Sequence, residues 1–140
     1  MDVRPYEPRD LDALRVIFAS NVPTFFGAVE EPSFEAFMAA LPGPYFVVEH
    51  EGQVIGSGGY AEARLTWLMF HRQWHGQGLG RFLLFYLMKQ IGAQSITLGT
   101  TPNVVAFYEK FGFRVVSRTA DGFAPGYDRI EMIKKMEVCS

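Results

Sequence analysis

Cysteine is almost missing from this chain: Cys139 is the only one among 140 residues. No internal disulfide can form, and a reducing compartment is expected. A thiol so near the chain end is also a poor catalytic nucleophile, because a frayed terminus does not hold it in place. No apolar run approaches the length of a bilayer span, and MDVRPYEPRD has no apolar stretch of the secretory type. A cytoplasmic protein with no membrane partner is therefore expected. Charge of one sign is scarce too, with 13 Lys and Arg against 15 Asp and Glu for a formal net charge of −2. That balance gives no reason to expect nucleic acid as a partner, and long-range steering is weak. Repeats, low-complexity segments and domain linkers are all lacking.

What is present is apolar and aromatic. The apolar fraction is 49%, the aromatic fraction 15%, and 13 residues are Phe, which argues for a packed fold. The length suits one domain over residues 1–140 with a core that needs neither disulfide nor metal. Asp2 to Tyr6 is a short strand stopped by Pro5 and Pro8. Asp10 is an N-cap candidate for a helix through Ser20, with Leu11, Leu14, Ile17 and Phe18 at helical spacing. A second helix carries Pro32 in its first turn, and Phe34, Phe37, Met38 and Leu41 on one face, up to the Pro42-Gly43-Pro44 breaker.

From Tyr45 the period changes to that of strands. Tyr45 to Glu49 and Val54 to Tyr60 form a hairpin by pattern, and only Glu62 to Arg64 separates it from a third strand ending at Phe70. A helix from Gly78 to Ile91, a buried strand Ser95 to Gly99, and a short helix from Thr101 to Lys110 follow. Phe113 to Arg118 and Ile130 to Met136 read as the last strands, joined by the turn-rich Ala120 to Tyr127. The order predicts a mixed α/β sheet in a single domain. Phe82 to Met88 is apolar all round its helix, which predicts burial on every side, with a homodimer contact as the second reading.

The most informative stretch is His71 to Arg81, HRQWHGQGLGR, placed where a strand becomes a helix. Gly76, Gly78 and Gly80 lack a Cβ, so the backbone can take positive φ and present successive N–H groups, and the helix start adds unpaired donors. A phosphate or pyrophosphate suits such a cradle. A dinucleotide fold needs GxGxxG after a parallel strand, but here the spacing is GxGxG and Arg81 takes the third glycine's place. A nucleotide-binding loop needs Gly-Lys followed by Ser or Thr, and no such triplet occurs. His71 and His75 are four apart, a spacing that converges on a metal only within a helix, so no metal is expected.

His75-Gly76-Gln77-Gly78-Leu79-Gly80, followed by Phe107-Tyr108-Glu109-Lys110-Phe111-Gly112-Phe113, resembles the GNAT superfamily of N-acetyltransferases. Members carry a Gln/Arg-x-x-Gly-x-Gly/Ala loop after a strand, and later a helix ending near Phe-Tyr-Glu-Lys-x-Gly-Phe. The element order resembles the family over almost the whole chain. The resemblance implies about seven strands and four helices, with an antiparallel meander followed by a splayed parallel pair. It also implies acetyl-CoA as donor cosubstrate, its pantetheine arm along the backbone of Leu68, Met69 and Phe70. The pyrophosphate would lie on His75, Gly76, Gln77, Gly78, Leu79, Gly80 and Arg81. Strand addition suits an amide-bearing arm. His75 departs from the usual Gln or Arg, and Phe70 from a smaller aliphatic. The family's asparagine falls on Thr101, with Asn103 two residues later, and both are taken as cofactor contacts.

By position Tyr108 matches the family's tyrosine near the thiol, which implies a general acid returning a proton to the leaving thiolate; a packed core tyrosine is the plain alternative. The acceptor ammonium must lose a proton, and Glu62 is the acid chosen for that, with a water relay as its rival. The resemblance implies an acceptor surface formed by the segment joining the first two helices and by the last hairpin, here Phe25, Phe26, Glu30, Glu31, Phe123, Tyr127 and Asp128, which would suit a primary amine on a small molecule, a polyamine included, or on a peptide. The function expected is direct acetyl transfer to that amine. The competing class is a non-catalytic acyl-CoA-binding or regulatory module.

Overall fold

Residues 1–136 are described by the structure, a computed structural model; Cys139 lies outside them. In chain order the elements are β1 (Asp2–Pro5), α1 (Leu11–Ser20), α2 (Glu31–Ala39), β2 (Tyr45–His50), β3 (Gln53–Ala61) and β4 (Arg64–Phe70). Then come α3 (Leu79–Ile91), β5 (Ser95–Thr100), α4 (Val105–Glu109), β6 (Arg114–Ala124) and β7 (Tyr127–Lys135). The strands form one seven-stranded sheet in the order β1-β2-β3-β4-β5-β7-β6. Every neighbouring pair is antiparallel except β4 with β5.

Strand alternation distributes the core over the two faces. Tyr45 and Val47 of β2 join a cluster with Leu14, Ile17 and Phe18 of α1 and Phe34 and Met38 of α2. Phe46 and Val48, one residue out of step, join the opposite cluster with Leu83, Leu84, Leu87 and Met88 of α3. The β2–β3 turn is Glu51-Gly52, both at positive φ, which matches the right-handed twist of a tight hairpin.

Three expectations need correction. The α3 run is not buried all round: Phe82 and Phe85 are each 41% exposed. One sheet face covers only a stripe of a helix, and Arg81 lies over the outer Phe85 ring at 5.4 Å. Asp10 makes no cap bond to α1; it accepts from the Glu7 N–H at 2.8 Å and from both terminal nitrogens of Arg4 at 2.8 Å. A 3-10 turn over Pro8–Asp10 starts the helix early and makes Asp10 its third residue. Finally, Ala120–Tyr127 is mostly strand. Asp128 accepts from the Asp121 N–H and Asp121 accepts from the Gly126 N–H, so the bulge and turn signals sit inside a long hairpin.

Two features of β4 open the sheet. It meets β5 in one register pair, Arg64 opposite Thr97, beside a Thr97 N–H to Ala63 carbonyl bond of 2.9 Å. Beyond that pair the strands diverge. Against β3 the register jumps from Gly59–Thr66 to Ser57–Met69, so Trp67 and Leu68 together oppose Gly58. Trp67 has φ of 38°, a costly value for an aromatic residue in a strand. This bulge resets the alternation: Leu65 and Leu68, three apart, both pack toward α3, while Trp67 and Met69 pack toward α1 and α2. Gly59 admits the neighbouring strand closely, since a Cβ there would lie 2.3 Å from the Pro44 carbonyl oxygen.

The buried Tyr45 hydroxyl holds the bulge. It donates to the Trp67 carbonyl at 2.8 Å and lies 3.0 Å from Ser57 Oγ, which is fully buried. Tyr45→Phe leaves both groups short of a partner in the interior and is expected to lower the unfolding free energy by about 1–2 kcal/mol. Urea denaturation checks this; an unchanged midpoint and slope would show that Tyr45 does not hold the strand.

Candidate active site

The divergence of β4 and β5 leaves a cleft of about 910 Å³ that reaches both sheet faces. Its walls are β4 from Arg64 to Phe70, the end of β5 with Thr101 and Asn103, the start of α3, α4, and the segment joining α1 to α2. The glycine loop closes one end. Gly76 and Gly78 have φ of 79° and 80°, and no atom lies within 4 Å of where a Cβ would stand at either. An L-side chain is strained at such angles, so the sequence needs glycine there. Gly78 caps α3, and the first helical bond runs from the Phe82 N–H to the Gly78 carbonyl at 3.1 Å. The N–H groups of Leu79, Gly80 and Arg81 therefore start the helix without intrahelical acceptors, and they carry the positive end of its dipole. Gly80 also brings the helix against α4, its missing Cβ being 3.2 Å from the Phe107 ring.

Of the residues expected at the donor site, Leu68, Met69, Phe70, His75, Gly76, Gly78, Leu79, Gly80, Arg81, Thr101, Asn103 and Tyr108 all line the cleft. Gln77 lies within the loop but does not line it. Three have engagements that sequence reasoning did not foresee. His75 Nε2 lies 2.9 Å from the Phe70 carbonyl, which fixes that nitrogen as the protonated one, and the ring meets Phe25 edge-on at 5.4 Å. Asn103 Nδ2 donates to the Thr24 carbonyl at 3.0 Å, and its Oδ1 accepts from Thr101 Oγ1 at 2.6 Å. The pair thus straps the α4 side of the cleft to the α1–α2 segment. Arg72 to Thr24 Oγ1 at 2.8 Å and Tyr127 to the Pro23 carbonyl at 2.6 Å tie the same segment from two other sides. His71 accepts from the Gln73 N–H through Nδ1, so the two histidines face backbone groups.

Tyr108 is 6% exposed and packs edge-on against Phe107 and Phe113 at 5.1 and 5.7 Å. The ring is packed, and its hydroxyl, among the described residues, takes no hydrogen-bonding partner. Burial pushes its phenol up to about 12, so it stays protonated at neutral pH.

Glu62 is not brought to the cleft. It occupies the exposed β3–β4 turn at φ of 53°, at the end where β4 and β5 are paired. Neighbouring Arg64 does reach the cleft; its two terminal nitrogens bond both Glu131 oxygens at 2.9 and 3.0 Å, crossing β5 where Gly99 has no side chain. Two residues were under-read from sequence. Trp67 turns its ring into the cleft through the bulge, which no periodicity signals. Buried Asn21 donates to the Ile17 and Phe70 carbonyls at 2.8 and 3.0 Å and so joins α1 to the end of β4. Among the described residues, no three His, Cys, Asp or Glu side chains gather as a metal site. No helix among them is long and apolar enough to cross a membrane.

Residues 42–115 match the family model of the acetyltransferase (GNAT) domain. No curated protein sequence matches the chain. Solved structures similar to it include a ribosomal-protein-alanine N-acetyltransferase from Brucella melitensis, 20% identical, covering 97% of this chain and 100% of that one with a TM-score of 0.73. An aminoglycoside 6'-N-acetyltransferase complexed with coenzyme A is 17% identical, covering 100% and 99% with a TM-score of 0.75. A GNAT family acetyltransferase from Elizabethkingia anophelis with acetyl-CoA bound is 13% identical, covering 96% and 97% with a TM-score of 0.73.

The packing of Tyr108 has a spectroscopic consequence. In a difference titration against Tyr108→Phe, the phenol lost with the mutation is expected to ionise near pH 12, so phenolate absorbance at about pH 10.5 should be equal in the two proteins. A deficit of one phenolate at that pH in the variant would contradict the burial of this hydroxyl.

Proposed function

Because the chain belongs to the GNAT family of acetyltransferases, we propose that residues 1–140 act as one N-acetyltransferase domain, moving an acetyl group from acetyl-CoA to a primary amine by direct transfer. The observation that carries this reading is the gap between β4 and β5, flanked by an open phosphate cradle at Gly76–Arg81 and by the free hydroxyl of Tyr108. Each part answers a need of the donor. A diphosphate suits the unpaired N–H groups at the start of α3. A pantetheine arm is an extended amide chain, and the β5-facing edge of β4 beyond Arg64 lacks a strand partner, so the arm can add to it. The Phe70 carbonyl is already engaged by Asn21 and His75, and Met69 pairs with Ser57 of β3, which leaves Leu68 and the Phe70 N–H as the better part of that edge.

In the reaction, the amine nitrogen attacks the thioester carbon and a C–N bond forms. The C–S bond then breaks, and the sulfur takes a proton from the Tyr108 hydroxyl, which regains one released by the acceptor nitrogen. Tyr108 can serve because burial keeps it protonated. That no cysteine lies among the described residues supports the amine as the direct nucleophile. That structural neighbours carry coenzyme A or acetyl-CoA supports the choice of donor.

Calorimetry with acetyl-CoA, followed by free-thiol release over a panel of amines, tests the reading. Micromolar or tighter binding and turnover on at least one amine are expected. Gly78→Ala should weaken binding by about tenfold, because φ near +80° costs a side-chain residue of order 1–2 kcal/mol. Tyr108→Phe should bind acetyl-CoA normally and turn over about 10²-fold more slowly. No binding contradicts the proposal, and binding without turnover on any amine is the behaviour of a non-catalytic acyl-CoA-binding module.

A further inference from the structure

Among the described residues, Glu30 is the one acidic side chain lining the cleft, although Arg64, Arg81 and Lys110 line it too. It is 6% exposed and belongs to the segment between α1 and α2, where its Oε2 accepts from the Gly27 N–H at 2.7 Å. Among the described residues Oε1 has no hydrogen-bonding partner. The same cleft is lined by the aromatic rings of Phe25, Phe26, Phe37, Trp67 and Phe123. Oε1 is thus left open to the cleft, where a positive group could meet it.

We propose that Glu30 is the group that receives the acceptor's ammonium and takes its proton, and that the acceptor is a monoamine on an apolar, preferably aromatic, body. This rests on the acetyltransferase reading and specifies the acceptor for it. One carboxylate can neutralise one ammonium; a polyamine or another polycation would bring further charges for which the described lining holds no second carboxylate. The aromatic walls exclude water and favour an apolar body beside the cation, whose charge their faces also attract. The ammonium hands one proton to the Glu30 carboxylate, and the free amine then attacks the thioester as described above. Glu30 returns the proton to solvent after the product leaves.

Other charges around this residue are committed elsewhere. Arg64 pairs with Glu131, and Arg129 lies 3.5 Å from the same carboxylate. Arg118, Asp121 and Asp128 bond one another in the β6–β7 hairpin. Asp12, Arg15 and Glu35 do so across α1 and α2, Tyr127 is bound to Pro23, and Glu31 is exposed. Burial raises the Glu30 carboxyl above the ordinary glutamate range, with the Gly27 N–H opposing that shift. Because its folded value lies above its unfolded one, the stability tied to this group is complete at low pH and falls as pH rises through the folded value. A neutral isostere removes that cost.

Glu30→Gln separates the role from structure, because its amide oxygen can still accept from Gly27. The probes are 2-phenylethylamine and spermidine, each with the full chain and coenzyme A. Quenching of tryptophan fluorescence reports amine binding independently of turnover, and thiol release with acetyl-CoA reports catalysis. The parent is expected to bind and acetylate 2-phenylethylamine in preference to spermidine. Its rate should fall on the acid side with an apparent pKa above the usual glutamate range. In Glu30→Gln, amine affinity should drop at least about tenfold and that acid limb should disappear. Acetyl-CoA affinity should stay within about twofold, and at pH 8 the variant should melt no lower than the parent. Amine affinity and pH profile unchanged by the substitution would overturn the assignment, as would preference for spermidine. Failure of the parent to bind acetyl-CoA would instead remove the acetyltransferase reading beneath it.

Discussion

One ladder pair, Arg64 opposite Thr97, is all that joins the two halves of this sheet through β4 and β5. Backbone donors and acceptors in an interior need partners, so a parallel pair that stops after one rung leaves a row of such groups for something else to satisfy. The protein stabilises the opening without closing it. Arg64 reaches across β5 to Glu131 through the space left at Gly99. On the other side of β4, the Trp67 bulge and its Tyr45 bond set the strand's course. More complete pairing between β4 and β5 would give a stronger sheet and abolish the cleft.

The gap also explains the division of the lining residues. On the α3 and α4 face stand the glycine loop, Arg81, Lys110 and the Tyr108 ring; on the α1 and α2 face stand Trp67, Phe26, Phe37 and Glu30. Arg81, Lys110 and the open N–H groups lie on one face, and Glu30, the one carboxylate among the described lining residues, lies on the other. A group transferred between two molecules then needs only to cross the plane of the sheet. The straps on Thr24 and Pro23 hold the α1–α2 segment, and with it Glu30, at a fixed distance from that plane. Rigid placement of this kind is what lowers the entropic part of a two-substrate barrier.

Much of this was legible in the residues. The positions of β4 and α3 and the glycine loop between them follow from period changes and from positions where only glycine fits, while the Tyr108 segment was marked by its resemblance to the family's motif. What remained hidden depends on side chains far apart in sequence. Trp67 faces the cleft because a bulge opposite Gly58 shifts the alternation by one, and nothing in RLTWLMF marks a bulge. Glu62 looked suitable by its nearness to β4 in sequence, yet it sits at the closed end of the strand, while Glu30 arrives through a fold-back of the chain. Asp10 has the composition of a cap, but Arg4 of β1 claims its carboxylate and holds it well below the usual range. The aromatic run of α3 shows the limit of composition, since one sheet face leaves Phe82 and Phe85 outside.

Hydrogen–deuterium exchange with and without acetyl-CoA tests the opened strand most directly. Protection is predicted at the amides of Leu68 and Phe70 on β4 and of Gly78–Arg81 at the start of α3, with β1 and β2 unchanged. Ligand binding that leaves those amides exchanging as before would contradict the proposal that the unpaired edge of β4 and the glycine cradle receive the donor.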